Sequence, residues 1–499
     1  MTGPLQLIET SHTPESLAER LQGERGVVLL RSRMFESNQA RYSFVAANPF
    51  LTFRSFGSRC EITEHEARNT EPAKRSEASF GNPWHILDAL LARYELLDEP
   101  DQPLPLGGCF GFWGYDLKKF VEPKLRVRSL NDLELPDCHL GFYDSLVAFD
   151  HQLGKTLIIA TGLSADGTRT EERQRVQVEF WRTHLSGESA ERVARNGECR
   201  GRNPQPAIRS TFTRESFIAA VESAQRYIRS GDIYQVNLTQ RLSAEWNAGG
   251  WRLFERLADV SPAPFSAFVD CGGFQLASSS PELFLRLSGS HIQTRPIKGT
   301  RPRSQDVAED SRLAYELQTS PKEQAELVMI TDLLRNDLGR VCEFGSVQVP
   351  ELLRLEKYAQ VQHLVSTVEG RLRKDVTHLA ALAACFPGGS ITGAPKFRAM
   401  EVIDELEPVS RGPYCGALGY LGFNRESQLS VIIRTAICRE GVAHFPVGAG
   451  IVADSDPAGE YEETLAKARG FLAALQTGGG TGVSPVRTRT HGQDARAMT

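Results

Sequence analysis

The 499 residues are 40% hydrophobic and 24% charged, with a net charge of −5 and a pI near 6.2. That is enough chain for one large domain or two to three smaller ones. The acidic balance, with no basic cluster interleaved with aromatics, argues against a nucleic-acid surface. The N-terminus has no charged-then-apolar signal layout and no uninterrupted apolar run is long enough to cross a bilayer, so a cytoplasmic protein without a membrane role is expected. Nine cysteines (Cys60, Cys109, Cys138, Cys199, Cys271, Cys342, Cys385, Cys415 and Cys438) never fall in CxxC spacing. They read as reduced, mostly buried thiols.

In chain order, Gly26 to Gly162 is strand-rich, with runs such as Val27–Leu30, Tyr42–Ala46 and Leu157–Ala160 separated by turn residues. The division expected is a first region over 1–183, an exposed polar linker over 184–210, a second region over 211–476 and a disordered Gly/Ser/Thr/Arg tail over 477–499. A helix begins after Phe212, with Thr213 and Ser216 as competing caps. Ser320 and Pro321 open another helix, on which Glu323 completes a capping box and Glu326 follows one turn later on the same face. Gln428 to Ile437 reads as one strand, with Arg439-Glu-Gly441 turning into the next. Asp454-Ser-Asp-Pro457 opens the last helix, with Glu460, Glu463 and Lys467 on one face.

Several residues stand out chemically. Lys298 lies in Arg295-Pro-Ile-Lys-Gly-Thr-Arg-Pro-Arg303. Alone it reads as part of a solvated loop, but a desolvated lysine near other cations is a usable nucleophile. The two carboxylate pairs each read singly as solvated faces; together they would give the oxygen-rich, water-retaining shell that Mg2+ prefers. The turn Pro387 to Lys396, with Ser390, Thr392 and free backbone N–H groups, suits an anion, though it is neither a Walker A loop nor a GxGxxG fingerprint. Gly448-Ala449-Gly450 would let a ligand approach the backbone, and Tyr414 to Tyr420 would do the same with two aromatic hydroxyls. Arg434 interrupts apolar Val431-Ile-Ile433, a poor place for a charge unless it meets an anion. His363 is enclosed by apolar neighbours, where a satisfied core histidine is the commoner case.

The order of motifs is more specific than any one of them. Ser278-Ser-Ser-Pro-Glu282, Pro296 to Arg303, Glu326 with Asp332-Leu-Leu-Arg-Asn-Asp337, His363-Leu-Val-Ser366, Pro387 to Lys396 and Gly448 to Gly450 together resemble the chorismate-utilising enzymes, across roughly residues 210 to 475. Residues 1–183, with Leu29-Leu-Arg-Ser32 and Arg41-Tyr-Ser-Phe44, resemble the companion region of anthranilate and aminodeoxychorismate synthase large subunits. The resemblance implies an α+β sandwich of large antiparallel sheets, with helices outside and a central active-site cleft. Isochorismate and salicylate synthases have a water-activating lysine where this chain has Gln235, so water is not the expected nucleophile. Anthranilate synthases carry alanine where this chain has Lys298, and aminodeoxychorismate synthases typically carry lysine. The runs Tyr234 to Leu238 and Ala263 to Phe268 also resemble the aminodeoxychorismate branch.

The resemblance further implies roles. Glu326 and Glu463 would hold Mg2+, with Glu323 and Glu460 completing its shell, and the metal would hold the ring carboxylate of chorismate. Arg434, Tyr414 and Gly448–Gly450 would hold the enolpyruvyl carboxylate, with Lys467, Thr392 and Gly393 at the substrate or metal shell. Glu282 would be the general acid, Lys298 the covalent nucleophile, and His363 an orienting group at the ring. No Gly-x-Cys-x-Gly turn followed by His-x-Glu is present, so ammonia would come from a separate glutamine amidotransferase subunit, and a separate lyase would release 4-aminobenzoate on the way to folate. Anthranilate synthase component I and a non-catalytic amidotransferase-binding scaffold are the alternatives. Arg31 stands where tryptophan-inhibited relatives carry an acid, so inhibition by tryptophan is not expected.

Overall fold

A computed structural model describes residues 3–32, 41–65, 75–97, 102–126, 128–186, 207–358, 361–476 and 489–490. Two large sheets dominate it. The first has thirteen strands, running from Leu5–Ile8 at one edge through Lys155–Ala160, Ser145–Asp150, Tyr42–Ala46 and Val28–Arg31. It continues through Phe265–Asp270, Gln275–Ser280, Thr435–Arg439, Val442–Ile451 and Gln235–Glu245 to Arg209–Ser210 and Arg489–Thr490. The second has twelve strands, from Ile297–Pro302 through Val361–Arg371, His291–Arg295, Leu283–Ser288, Glu426–Val431 and Ala417–Gly422 to five strands from the first 150 residues. Pairing is antiparallel throughout, except for the two-residue contact of Arg209–Ser210 with Arg489–Thr490. The α+β architecture of large antiparallel sheets is thus as the sequence implies. Both sheets draw strands from either side of the 184–210 segment, most of which lies outside the described residues, as does most of the tail.

Strand alternation explains why both faces of the first sheet are apolar. Val28, Phe44, Ala267, Val269 and Leu276 point between the sheets, where they join Phe112, Leu140, Phe142 and Leu285 of the second. Their neighbours Leu29, Val45, Phe268 and Ala277 point the other way, into a second core built with Trp251, Phe254 and Phe471 from covering helices. Tyr420 belongs to the inter-sheet aromatic core, 5.3 Å from the rings of Phe44 and Phe110. It also lines a small cavity with Ser32, Tyr42 and Gln428. The eight described cysteines are free and buried; Cys199 lies outside the described residues. Among those residues no helix is long and apolar enough to cross a membrane.

Helix starts follow their caps. Thr213 and Ser216 are not competitors but the two halves of one capping box on Arg214–Arg229. Ser320 caps Pro321–Gly339 by accepting from the Glu323 backbone N–H, and Asp456 caps Pro457–Leu475. Glu323 does not return the bond as a capping box requires. Its carboxylate instead lies 3.6 Å from Arg301 Nη1, drawn by a charge that a solvated helix end would not offer.

Candidate active site

Two chain crossovers between the sheets frame the site. The Ser278–Glu282 segment leaves Gln275–Ser280 in the first sheet and enters Leu283–Ser288 in the second. The segment Ile432–Arg434 crosses in the opposite sense, from Glu426–Val431 to Thr435–Arg439. Gln428 to Ile437 is therefore two strands in different sheets, not one. Ile432 leaves the strand direction to bond Cys415 and Gly416, and Arg434 takes a left-handed φ of 49°. The crossovers are stitched together: Val431 N–H donates to the Glu282 carbonyl, Ser279 N–H to the Arg434 carbonyl, and Ser280 Oγ to the Val431 carbonyl. This brings Glu282 and Arg434 to one place from positions far apart in the chain.

Glu282 is 6% exposed. Burial pushes its carboxyl up to about 7, against the pull of the Ser390 hydroxyl and of Lys298. Such a group carries a proton near neutral pH, as a general acid must. Arg434 is mostly enclosed, and burial pulls its guanidinium below the ordinary value. Among the described residues it has no salt-bridge partner, which leaves a fork for a carboxylate. His363 is 3% exposed, with Nδ1 2.9 Å from Thr300 Oγ1 and 3.3 Å from the Gly299 carbonyl. Burial takes it down to about 4, so it is neutral at neutral pH.

Lys298 lies on the edge strand Ile297–Pro302 of the second sheet. The register slips between Lys298 and Thr300, and Gly299 takes a φ of +68°. The left-handed φ favours glycine, and a Cβ there would come within 2.6 Å of Leu317 Cδ1 and 3.0 Å of the Glu323 carboxylate, displacing both side-chain ends. Lys298 Nζ is 4.0 Å from Glu326 Oε2. Across the cleft, a Cβ on Gly450 would sit 2.6 Å from Gln235 Nε2 and 4.0 Å from Lys298 Nζ. Gly448, Ala449 and Gly450 end the strand Val442–Ile451, paired with Thr239, Leu238 and Asn237. Gln235 Oε1 is buried and has no hydrogen-bond partner.

The two carboxylate helices face each other, which the sequence could not establish. Burial, with Glu323 and Glu463 nearby, pushes the Glu326 carboxyl above the usual range despite Lys298 and Lys322. Burial and then Glu463 push Glu460 up, against a 2.6 Å bond from Ser455 Oγ to its Oε1. Burial pushes Glu463 the same way, but Lys467, Lys322 and Lys298 together bring it below its ordinary value. Lys467 Nζ lies 2.8 Å from Glu463 Oε1 and donates to the Gly448 carbonyl, tying this helix to the glycine strand. Among the described residues no three His, Cys, Asp or Glu side chains converge as a closed metal shell. Yet Glu460 Oε2 is a buried oxygen without a partner. An acid set spread over two helices with an orphaned oxygen fits a hard cation that keeps several of its waters.

The remaining expected residues fall at the margin. Thr392 Oγ1 donates to the Gly388 carbonyl at 2.9 Å, and its own carbonyl accepts from Asn237 N–H. Gly393 pairs with Val236 at a φ of +144°. Tyr414 is buried, next to Cys415 and the Arg411–Glu407 pair, in the segment bonded to Ile432. Arg31 is ion-paired with Glu15, beside a small cavity lined by Ser32, Tyr42, Pro264 and Gln428. Two contributors escaped the sequence reading: Lys322, whose i, i+4 spacing to Glu326 was the available signal, and the pull of Ser390 on Glu282, for which no local signal exists.

The family described as chorismate binding enzyme matches residues 33–473. The chain belongs to the chorismate-binding enzymes. Within that family it is 37% identical to anthranilate synthase component 1 of Acetivibrio thermocellus over 486 residues, 95% of each chain. It is 39% identical to aminodeoxychorismate synthase component 1 of Klebsiella aerogenes over 458 residues, 92% of this chain and 95% of the relative. The crystal structure of anthranilate synthase component I from Streptococcus pneumoniae superposes with a TM-score of 0.73 at 31% identity, covering 88% of this chain and 94% of that one. The menaquinone-specific isochorismate synthase of Escherichia coli, at 18% identity and a TM-score of 0.65, shares the chorismate-binding fold over 95% of both chains.

Proposed function

We propose that the chain is the large subunit of an aminodeoxychorismate synthase, converting chorismate and ammonia to 4-amino-4-deoxychorismate. The observation that carries this reading is Lys298, a primary amine held between Glu326 and the Gln235–Gly450 wall and within electrostatic reach of protonated Glu282. Lys298 Nζ attacks C2 of the ring, both ring double bonds shift by one position, and Glu282 gives its proton to the departing C4 hydroxyl, which leaves as water. Ammonia then adds at C4, both double bonds shift back, and the lysine is expelled from C2. One difficult displacement becomes two allylic ones. Neutral His363 orients the ring, and Arg434 takes the enolpyruvyl carboxylate together with Tyr414 and the Gly448–Gly450 backbone. Glu326 and Glu463 would hold Mg2+, with Glu323 and Glu460 at its waters; when bound, the cation supplies positive charge to the ring carboxylate. Ammonia comes from a separate glutamine amidotransferase, in keeping with the component 1 names of the relatives.

Anthranilate synthase component 1, with ammonia attacking at C2, is a second reading, because relatives of both names lie at 37–40% identity. Product analysis separates the two. The protein is incubated with chorismate, Mg2+ and ammonium salt and followed by mass and fluorescence. The expected product keeps its pyruvyl group and yields 4-aminobenzoate only after a lyase is added. Fluorescent anthranilate without the lyase would overturn the assignment.

A further inference from the structure

A buried ion pair behind the site has no part in the chemistry above. Arg411 and Glu407 are each 5% exposed and bidentate, with Arg411 Nε 2.9 Å from Glu407 Oε2 and Nη2 2.6 Å from Oε1. The guanidinium lies over the Tyr115 ring, 4.8 Å from its centroid, beside Cys415. Its remaining donors go to other segments: Nη1 to the Ile391 carbonyl at 3.0 Å and Nη2 to the Asn237 carbonyl at 2.7 Å. Glu407 Oε1 also accepts from Thr239 N–H at 2.8 Å. The pair therefore bolts the Gly389–Ile391 turn to the strand Gln235–Glu245. Asn237 adds to the joint, its backbone N–H donating to Thr392 and its side-chain amide to Ile391. The turn carries Ser390, whose hydroxyl pulls the Glu282 carboxyl down, and the strand begins with Gln235.

A buried ion pair is poor evidence for stability, since apolar residues of like volume often serve as well. What such residues could not do is fix two carbonyls, from a turn and a strand, at one planar fork. We propose that the Arg411–Glu407 pair is a positioning clamp that holds the Gly389–Ile391 turn so that the Ser390 hydroxyl stays on the Glu282 carboxyl. This rests on the reading of Glu282 as general acid. The groups acting on that carboxyl are Ser390 from the turn and Lys298 from the facing strand. Loss of the Ser390 donor removes an interaction that favours the ionised form, so Glu282 holds its proton to higher pH and the alkaline limb of the rate profile moves up.

The test compares Arg411→Lys, Glu407→Gln, Ser390→Ala and Glu282→Gln in ammonia-dependent chorismate consumption across pH. Arg411→Lys keeps the charge and loses the fork. Its kcat should fall about tenfold or more with KM for chorismate little changed, as for a displaced reacting group, and its alkaline limb should move up together with that of Ser390→Ala. If Arg411→Lys does not fold, Glu407→Gln, which keeps an acceptor for Thr239, is read by the same criterion. A slower enzyme whose limb stays at the wild-type position while that of Ser390→Ala moves would overturn the clamp and leave the acid assignment standing. Wild-type turnover by Glu282→Gln would overturn the acid assignment, and the clamp with it.

Discussion

Lys118 and Lys298 are both drawn against carboxylates, and the contrast between them separates framework from site. Lys118 is wholly buried, 2.6 Å from Asp404, with its ammonium 4.2 Å from the centre of the Tyr115 ring. Lys298 is 17% exposed, stands 4.0 Å from Glu326, and lies close to the backbone of Gly450. The first pair is closed, with geometry that leaves the ammonium nothing further to do. The second is long and loose, and several acids and bases share its neighbourhood. A lysine at hydrogen-bond distance in a sealed pocket fastens two segments; Lys298, partly exposed and 4.0 Å from its carboxylate, is the one the proposed mechanism uses as nucleophile.

Substitutions can break that contrast. Lys298→Ala should have the largest effect, abolishing ammonia-dependent turnover and any covalent adduct seen by mass spectrometry. Its unfolding free energy should stay within about 0.5 kcal/mol of the parent. Glu282→Gln should lower kcat by about 10²–10⁴-fold. The same change should make the protein more stable above neutral pH. Burial raises the folded carboxyl to about 7, so the native state loses stability as pH climbs from the unfolded value through that point, and glutamine removes the loss. In the wild type, the rate should decline as pH rises past about 7. Lys118→Ala should be the mirror case, costing about 3–5 kcal/mol in denaturant unfolding by leaving Asp404 buried and unpaired. The smallest effect is expected of the double change Lys118→Met with Asp404→Leu, near neutral in stability because both charges go together.

Local signals were legible in the sequence, and long-range ones were not. Caps at Thr213, Ser320 and Asp456 depend on residues two or three positions away, and they form where the pattern places them. The Arg439–Gly441 turn forms for the same reason, with Glu440 and Gly441 both at positive φ. Glu282 and Arg434 could be singled out, the first by motif and the second as a charge in an apolar run. Their shared place at two crossovers between sheets is a property of topology. Arg434 shows the limit well: it reads as a defect in a strand, whereas it is the point at which the chain leaves one sheet for the other. Ser390, Lys118 and Arg411 each act through partners more than a hundred residues away or brought close only by folding, apart from the Arg411–Glu407 spacing itself. The glycine-rich strand end was legible from composition, since glycine marks close backbone approach as well as reversal.

The strand order has a consequence for the timing of synthesis. Thr435–Arg439 and Val442–Ile451 fill the gap between Gln275–Ser280 and Gln235–Glu245, in the interior of the first sheet. A nascent chain that ends before residue 435 therefore still has one unpaired edge on Gln275–Ser280 and another on Gln235–Glu245. It also lacks Gly450, Glu460, Glu463 and Lys467, all of which follow. The same late stretch both closes the sheet and delivers Glu460 and Glu463. An incomplete polypeptide thus exposes strand edges that make it an early target for chaperones and proteases.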